Sequence, residues 1–262
     1  MSDHSWSTAV TRIEPNSVQL RGYPVDQLMG RVSYADAVYL ALRGELPDLA
    51  TGKLIDAMLV SSVDHGVTPP SVLTAITVAS TGADLSACVA AGILAISKWH
   101  GGAIEACMRT LLVAVEQQQK KGRSTMETAR AVIDFAKESN ERLSGFGHRI
   151  HTSDPRTQRL FELAAEADQA GDYLDMIQGI RAAFLEKGKD LPINVDGAMA
   201  AVLCELGFDS QLANAFFIMA RVPGIVSHVH EERTRQKPMR QIHPDQYTYD
   251  GPATRDVPSD RT

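Results

Sequence analysis

Three histidines of this 262-residue chain stand beside glycine: His65 in VDHG, His100 in KWHGG and His148 in GFGH. One carboxylate, Asp196 in PINVDGAMAAVL, has apolar residues just before and after it, and Arg221 interrupts the apolar run FFIMARVPG. Arg149 and Arg156 follow His148 within SGFGHRIHTSDPR. These residue types define a chemistry. Arginine forks match carboxylates bidentately. Histidines donate hydrogen bonds to a carbonyl or a developing enolate oxygen. An aspartate in apolar surroundings can have its pKa raised toward general-base use. Together they equip a site to make or break a carbon–carbon bond beside a carbonyl, on a substrate carrying several carboxylates.

Each signal alone has a plainer reading. A histidine at a helix end is commonly a cap or a surface residue, and Asp196 has the residue type of an N-cap. Arg156, just after Asp-Pro, could form only a surface pair. Arg221 is harder to place this way, because an unpaired buried guanidinium is costly and calls for an anion. His228 and His230 in SHVHEE have metal-ligand types, but a spacing of two directs them to different helix faces, so no metal site is expected.

The elements that must carry these groups read as mostly α. The opening SVQLRGYPVDQLMG is extended-looking with a turn at Gly22-Tyr23-Pro24. A helix with a serine cap starts at Ser33 and stops at Gly44. SVLTAITVASTG and DLSACVAAGILAISKW are apolar on most faces and read as buried central helices. A long helix is entered at His100, and STMETARAVIDFAKESNER opens like a capping box. Pro155 suits a first helical turn. Pro223-Gly224 predicts a kink or a break in the last long helix, and Pro244, Pro252 and Pro258 mark an extended tail.

Composition bounds the class. Hydrophobic residues make up 44% and charged residues 22%, an ordinary globular balance. A net charge of −6, from 26 basic against 32 acidic residues, argues against nucleic acid as a partner. Three cysteines without CxxC spacing point to reduced thiols. Without a signal-like N-terminus or an uninterrupted apolar span, a soluble cytoplasmic protein with no membrane association is expected.

From LRGYPVDQL to RTRQKPMRQI the chain resembles the citrate synthase superfamily, with VDHG, HGGAIEA, GFGHRIHTSDPR, NVDGAMAAVL and FIMARVPGIVSHVHE in the family's order. The resemblance implies an all-α citrate synthase-like fold: a large helical domain (1–111 and 215–262) and a smaller one (112–214), with the active site in the cleft. It implies that His100 polarises a thioester carbonyl, that Asp196 moves the α-proton, and that His148 serves the keto or hydroxyl oxygen of a four-carbon acid. His65 would bind the same acid, Arg156 and Arg221 would clamp its carboxylates, and Arg149 could contact it. A clamp from the partner subunit falls on Lys237, with Arg235 or Arg240 as alternatives. Lys187 and Lys189 in EKGKD take the place of CoA-phosphate ligands, although a solvated helix end explains them equally well. The glycine loop before His148 would lie near the hinge.

The compact form resembles citryl-CoA lyase and the C-terminal citryl-CoA-cleaving module of ATP citrate lyase. The implied substrates are a CoA thioester and oxaloacetate or citryl-CoA, with no permanently bound cofactor and a homodimer or higher homo-oligomer as the assembly. A short citrate or 2-methylcitrate synthase is the alternative enzyme, and a catalytically silent CoA- or polycarboxylate-binding subunit the alternative outside catalysis.

Overall fold

The computed structural model describes residues 6–147 and 153–257. The extended opening is a small antiparallel meander, β1 (Thr11–Glu14), β2 (Ser17–Leu20) and β3 (Tyr23–Pro24), running directly into the short α1 (Val25–Leu28). Ten further α-helices follow among the described residues: α2 (Tyr34–Arg43), α3 (Leu49–Ser61), α4 (Pro70–Ala79), α5 (Leu85–Leu94) and α6 (Ala103–Lys121). After them come α7 (Thr125–Glu138), α8 (Pro155–Glu166), α9 (Asp172–Glu186), α10 (Val195–Glu205) and α11 (Ala213–Arg235). The fold is all-α with a minor sheet.

Local chemistry sets most boundaries. Ser33 with Asp36, and Ser124 with Glu127, form complete capping boxes that start α2 and α7. Gly44 ends α2 at φ 90°, a left-handed position that glycine adopts without a Cβ clash. Pro155 occupies the first turn of α8, where its missing N–H costs nothing. The long helix expected from His100 begins three residues later, at Ala103, leaving His100 in the preceding turn. Of the kink or break expected at Pro223, the break does not occur, since α11 continues through it as one 23-residue helix.

Packing divides into two apolar clusters. The larger joins Leu54, Ile55 and Met58 of α3, Ile104, Met108 and Leu111 of α6, Met176, Ile177 and Ile180 of α9, Met199 and Leu203 of α10, and Phe216 of α11. The smaller joins Ala75 and Ala79 of α4, Cys88 of α5, and Ile225 and Val229 of α11. α11 therefore runs from one cluster into the other. Ser210–Arg235 has the length and apolarity of a membrane-crossing helix, and in this fold much of its surface is buried in these clusters.

One expectation is corrected. α5 is not a buried central helix, because only Cys88 and Gly92 are buried on it. Leu85 and Leu94 are exposed, as is Trp99 just beyond. Apolarity on every face reports that a helix needs cover, and among the described residues it is the α4 and α11 side that supplies it.

Helix α9 is capped from a distance. Its own N-cap, Gly171, has no side chain to offer, and Oε1 of Glu205 accepts the backbone N–H groups of Gly171, Tyr173 and Leu174 at 3.0, 2.9 and 2.9 Å. Leaving those donors unmet costs roughly 1–3 kcal/mol. Glu205→Ala is expected to lower the unfolding free energy measured by urea titration by that scale, and Glu205→Gln, which keeps an acceptor, by less.

Candidate active site

Arg221 lies on α11 between the last residue of the large cluster and the first of the small one, and it is buried at 3% exposure. Its Nε donates to the Ser62 carbonyl at 2.9 Å, and its guanidinium lies over the Phe217 ring, 4.8 Å from the centroid. Nη1 is buried and has no hydrogen-bond partner among the described residues. Burial pushes the group below its ordinary pKa, opposed by Asp64 and Asp196 and reinforced by Arg156. A guanidinium stays charged in proteins, so the site presents a positive charge with a donor to spare.

Asp196 sits in the first turn of α10, and the capping question is resolved against it. Asn194 is the N-cap, its Oδ1 accepting the Gly197 N–H at 3.1 Å. Asp196 is half-buried and makes no hydrogen bond among the described residues. Burial raises its pKa above the ordinary carboxylate value, against the pull of Arg156 and Arg221. A carboxylate with free oxygens and a raised pKa is equipped for proton transfer to or from carbon.

The glycine segment before His148 is stitched to the same helix start. The Asn194 N–H donates to the Gly145 carbonyl (3.0 Å), the Gly147 N–H to the Pro192 carbonyl (2.7 Å), and Asn194 Nδ2 to the Gly147 carbonyl (2.9 Å). A Cβ on Gly145 would lie 2.6 Å from Cys107 Sγ, and one on Gly197 would lie 2.4 Å from the Gly145 carbonyl oxygen. As far as Gly147, glycine is there for close approach, and the segment is an anchored turn. His148 and Arg149 lie outside the described residues.

His100 is held at the turn before α6. Its Nε2 is 2.8 Å from Oγ of Ser71, a fully buried residue in the first turn of α4. The Phe217 ring meets the imidazole edge-on, centroids 5.5 Å apart. Burial and the Arg221 charge both lower its pKa, so the ring is neutral near pH 7. Phe217 touches both His100 and Arg221, which puts these two groups on one aromatic side chain.

Arg156 is paired rather than open to solvent. Nε and Nη2 grip the buried Asp154 carboxylate at 3.0 and 2.8 Å, and Nη1 donates to the Ser61 carbonyl at 3.2 Å. Asp154 also caps α8 by accepting the Arg156 N–H. A guanidinium has five N–H donors; three are used among the described residues, leaving one on each terminal nitrogen. Arg156, Arg221, Asp196 and His100 thus form one electrostatically coupled group.

The remaining candidates are dispersed. His65 is exposed in the loop between α3 and α4, directly after Asp64. The Lys187 ammonium pairs with Asp134, and Lys189 is exposed one turn-length beyond α9. Lys237 is exposed with no ion pair among the described residues, whereas Arg235 pairs with Glu231 and Arg240 grips the buried Glu232 with two bonds, at 3.0 and 2.8 Å. Sequence reasoning did not find Ser71, Asn194, Asp64, Asp154 or Phe217. Only Asn194 carried a visible signal, a cap-type residue two positions before Asp196.

The family model for the citrate synthase C-terminal domain matches residues 49–244. The chain is 29% identical to the citrate synthase of Deinococcus radiodurans over 207 residues, 76% of this chain and 52% of that protein. It is 30% identical to the 2-methylcitrate synthase of Shewanella oneidensis over 203 residues, again 76% and 52%. It thus spans about half the length of these sequence relatives. The solved citryl-CoA lyase of Hydrogenobacter thermophilus superposes with a TM-score of 0.89 at 38% identity, covering 97% of this chain and 98% of that one. An ATP citrate lyase from Methanosaeta concilii, solved with (3S)-citryl-CoA, superposes at 0.80 and 18% identity over 97% of this chain and 43% of that one, a likeness of fold. The buried arginine, the neutral histidine and the aspartate of raised pKa therefore sit within a matched family domain, and the chain belongs to the citrate synthase family.

Proposed function

We propose that the protein is a citryl-CoA lyase, cleaving citryl-CoA to acetyl-CoA and oxaloacetate. The likeness to the Hydrogenobacter thermophilus citryl-CoA lyase carries this reading, because it combines the 38% identity with near-complete coverage of both chains. The alternative, a citrate or 2-methylcitrate synthase, is favoured by the 29–30% identity to enzymes of those names.

The geometry supports a cleavage with balanced protons. Arg221 offers its unpartnered Nη1 and Arg156 its two remaining N–H groups to the citryl carboxylates. His65 and Arg149 add contacts to the same acid moiety. His148 takes the hydroxyl proton as the C–C bond breaks, and the electron pair moves into the thioester carbonyl to give an enolate. With the Ser71 hydroxyl donating into Nε2, the His100 proton resides on Nδ1 and meets the enolate oxygen. Asp196, protonated at the start, gives its proton to carbon. Condensation runs the same steps backwards and begins from ionised Asp196. Lys187 and Lys189 serve the CoA phosphates in this scheme.

The division into 1–111, 112–214 and 215–262 fits a site built across two domains: His65, His100 and Arg221 fall in the outer segments, Arg156 and Asp196 in the inner one. Closure then excludes water from the enolate. A homodimer is supported by the exposed apolar Leu85, Leu94 and Trp99 on and beside α5, with Lys237 reaching the partner's site. Three buried free thiols fit a cytoplasmic setting.

The direct assay offers citryl-CoA, and separately acetyl-CoA with oxaloacetate. Oxaloacetate and acetyl-CoA from the first with no free thiol from the second supports the lyase; thiol and citrate from the second supports the synthase. Asp196→Asn is expected to cut turnover by about a thousandfold or more, the upper range for losing a positioned acid–base group. The same variant should be more stable than the wild type at neutral pH. A raised folded pKa means that ionised Asp196 destabilises the fold fully above that pKa, and not at all below its unfolded value of about 4. Thermal melts should show the variant's advantage shrinking as pH falls through this window. Sedimentation should give twice the protomer mass, and Leu94→Glu should reduce it to one.

A further inference from the structure

α11 holds three consecutive residues of the α3–α4 loop with three residues of its own. Arg221, Gly224 and His228 are spaced by three and four, so they share one helix face. Arg221 Nε donates to the Ser62 carbonyl at 2.9 Å. Gly224 lies against the Val63 carbonyl so closely that a Cβ would stand 2.2 Å from its oxygen. His228 Nε2 donates to Asp64 Oδ1 at 3.0 Å. The other Asp64 oxygen, Oδ2, accepts the Gly66 N–H at 2.8 Å, and Gly66 has a φ of +75°. His65 is the one residue between the two ends of this clasp. We propose that His228 is a positioning residue that fixes His65 through Asp64 and so sets affinity for the four-carbon acid.

Charge agrees with the geometry. Burial opposes ionisation of Asp64, yet the Gly66 N–H and the His228 imidazole outweigh it and hold the carboxyl below its ordinary pKa. Besides Asp64, the carboxylate facing His228 is Glu231, with Oε2 3.8 Å from Nδ1, beyond hydrogen-bond range. Asp64 is thus ionised and acceptor-only, and it needs a donor on each oxygen. Gly66 supplies one and His228 the other. With His228 truncated, Asp64 loses its hydrogen bond to α11 and is tied only within its own loop; Arg221 and Gly224 still hold Ser62 and Val63, so register is lost from Asp64 onward, where His65 lies. His65 and Arg221 act on the same substrate in the reaction proposed above, and the acid-affinity half of the inference rests on that reading.

The test compares wild type with His228→Ala, His228→Gln, His65→Ala and the double variant His65→Ala/His228→Ala. Hydrogen–deuterium exchange over residues 61–67 is expected to accelerate by about tenfold or more in His228→Ala, as a locally opened segment does. It should return toward wild type in His228→Gln, whose amide nitrogen can occupy the place of Nε2. Oxaloacetate affinity, measured by calorimetry, should fall about tenfold in His228→Ala, the scale of one hydrogen bond to a charged group. The double variant should bind no more weakly than His65→Ala alone, since the two residues act as a unit. Unchanged exchange over 61–67 in His228→Ala, or fully additive losses in the double variant, would overturn the proposal. Wild type that binds no oxaloacetate counts against the lyase reading, and exchange alone then decides whether His228 holds the loop.

Discussion

A guanidinium buried at the seam between two apolar clusters is the constraint around which the site is arranged. Taking a charge out of water is expensive, and removing the demand by an apolar substitution is often the more stable solution for a fold. Arg221 is kept where α11 leaves one cluster for the other, stabilised by the Ser62 carbonyl and the Phe217 face. These partners are neutral and incomplete, so part of the charge remains for an anion. The same cation then acts on its neighbours. It works with burial to keep His100 neutral, and against burial at Asp196, where burial wins. Burial with the cation gives a neutral imidazole, and burial against it leaves a carboxyl of raised pKa, both within reach of one charge in a low-dielectric setting.

Precision in this arrangement comes from backbone meeting backbone. Gly145 and Gly197 bring the turn before residue 148 against the first turn of α10, and Asn194 ties the two with its side chain and its N–H. Gly224 does the same for α11 and the loop before His65. A side chain at any of these glycines would push apart the segments that carry Asp196, Arg221 and His65. Main-chain contact has few soft degrees of freedom, and a site fixed this way can be held to the tolerance that proton transfer to carbon demands.

Much of the fold was legible because local chemistry decides it. Ser33, Ser124, Gly44 and Pro155 announce helix ends by their own side chains or by the lack of one, and they end helices where expected. Long-range contacts were not legible. Asp196 and Asn194 are both cap-type residues, and which of them caps α10 depends on where the turn from Gly145 docks. Pro223 has the residue type of a helix breaker, yet α11 passes through it because packing on both sides outweighs one missing hydrogen bond. The apolar composition of α5 was read correctly as a demand for burial and wrongly as burial achieved. His228 and His230 were weighed only as metal ligands, and the Asp64 contact of His228 bridges residues 164 positions apart.

The uncovered face of α5 and the position of His100 are physically connected. α5 packs on α4, and Gly92 approaches so closely that a Cβ there would stand 2.9 Å from the Ser71 carbonyl oxygen. Ser71 in turn holds His100 through its hydroxyl. Packing at this density transmits displacement rather than absorbing it. Apolar area removed from water is worth about 25 cal/mol per Å², so covering the Leu85 and Leu94 side of α5 in the proposed homodimer would stabilise the α4–α5 pair that carries Ser71. Association would then stabilise the hydrogen bond between Ser71 and His100. The exposed face of α5 is thus two contacts away from His100, through Gly92 against Ser71 and Ser71 against the imidazole.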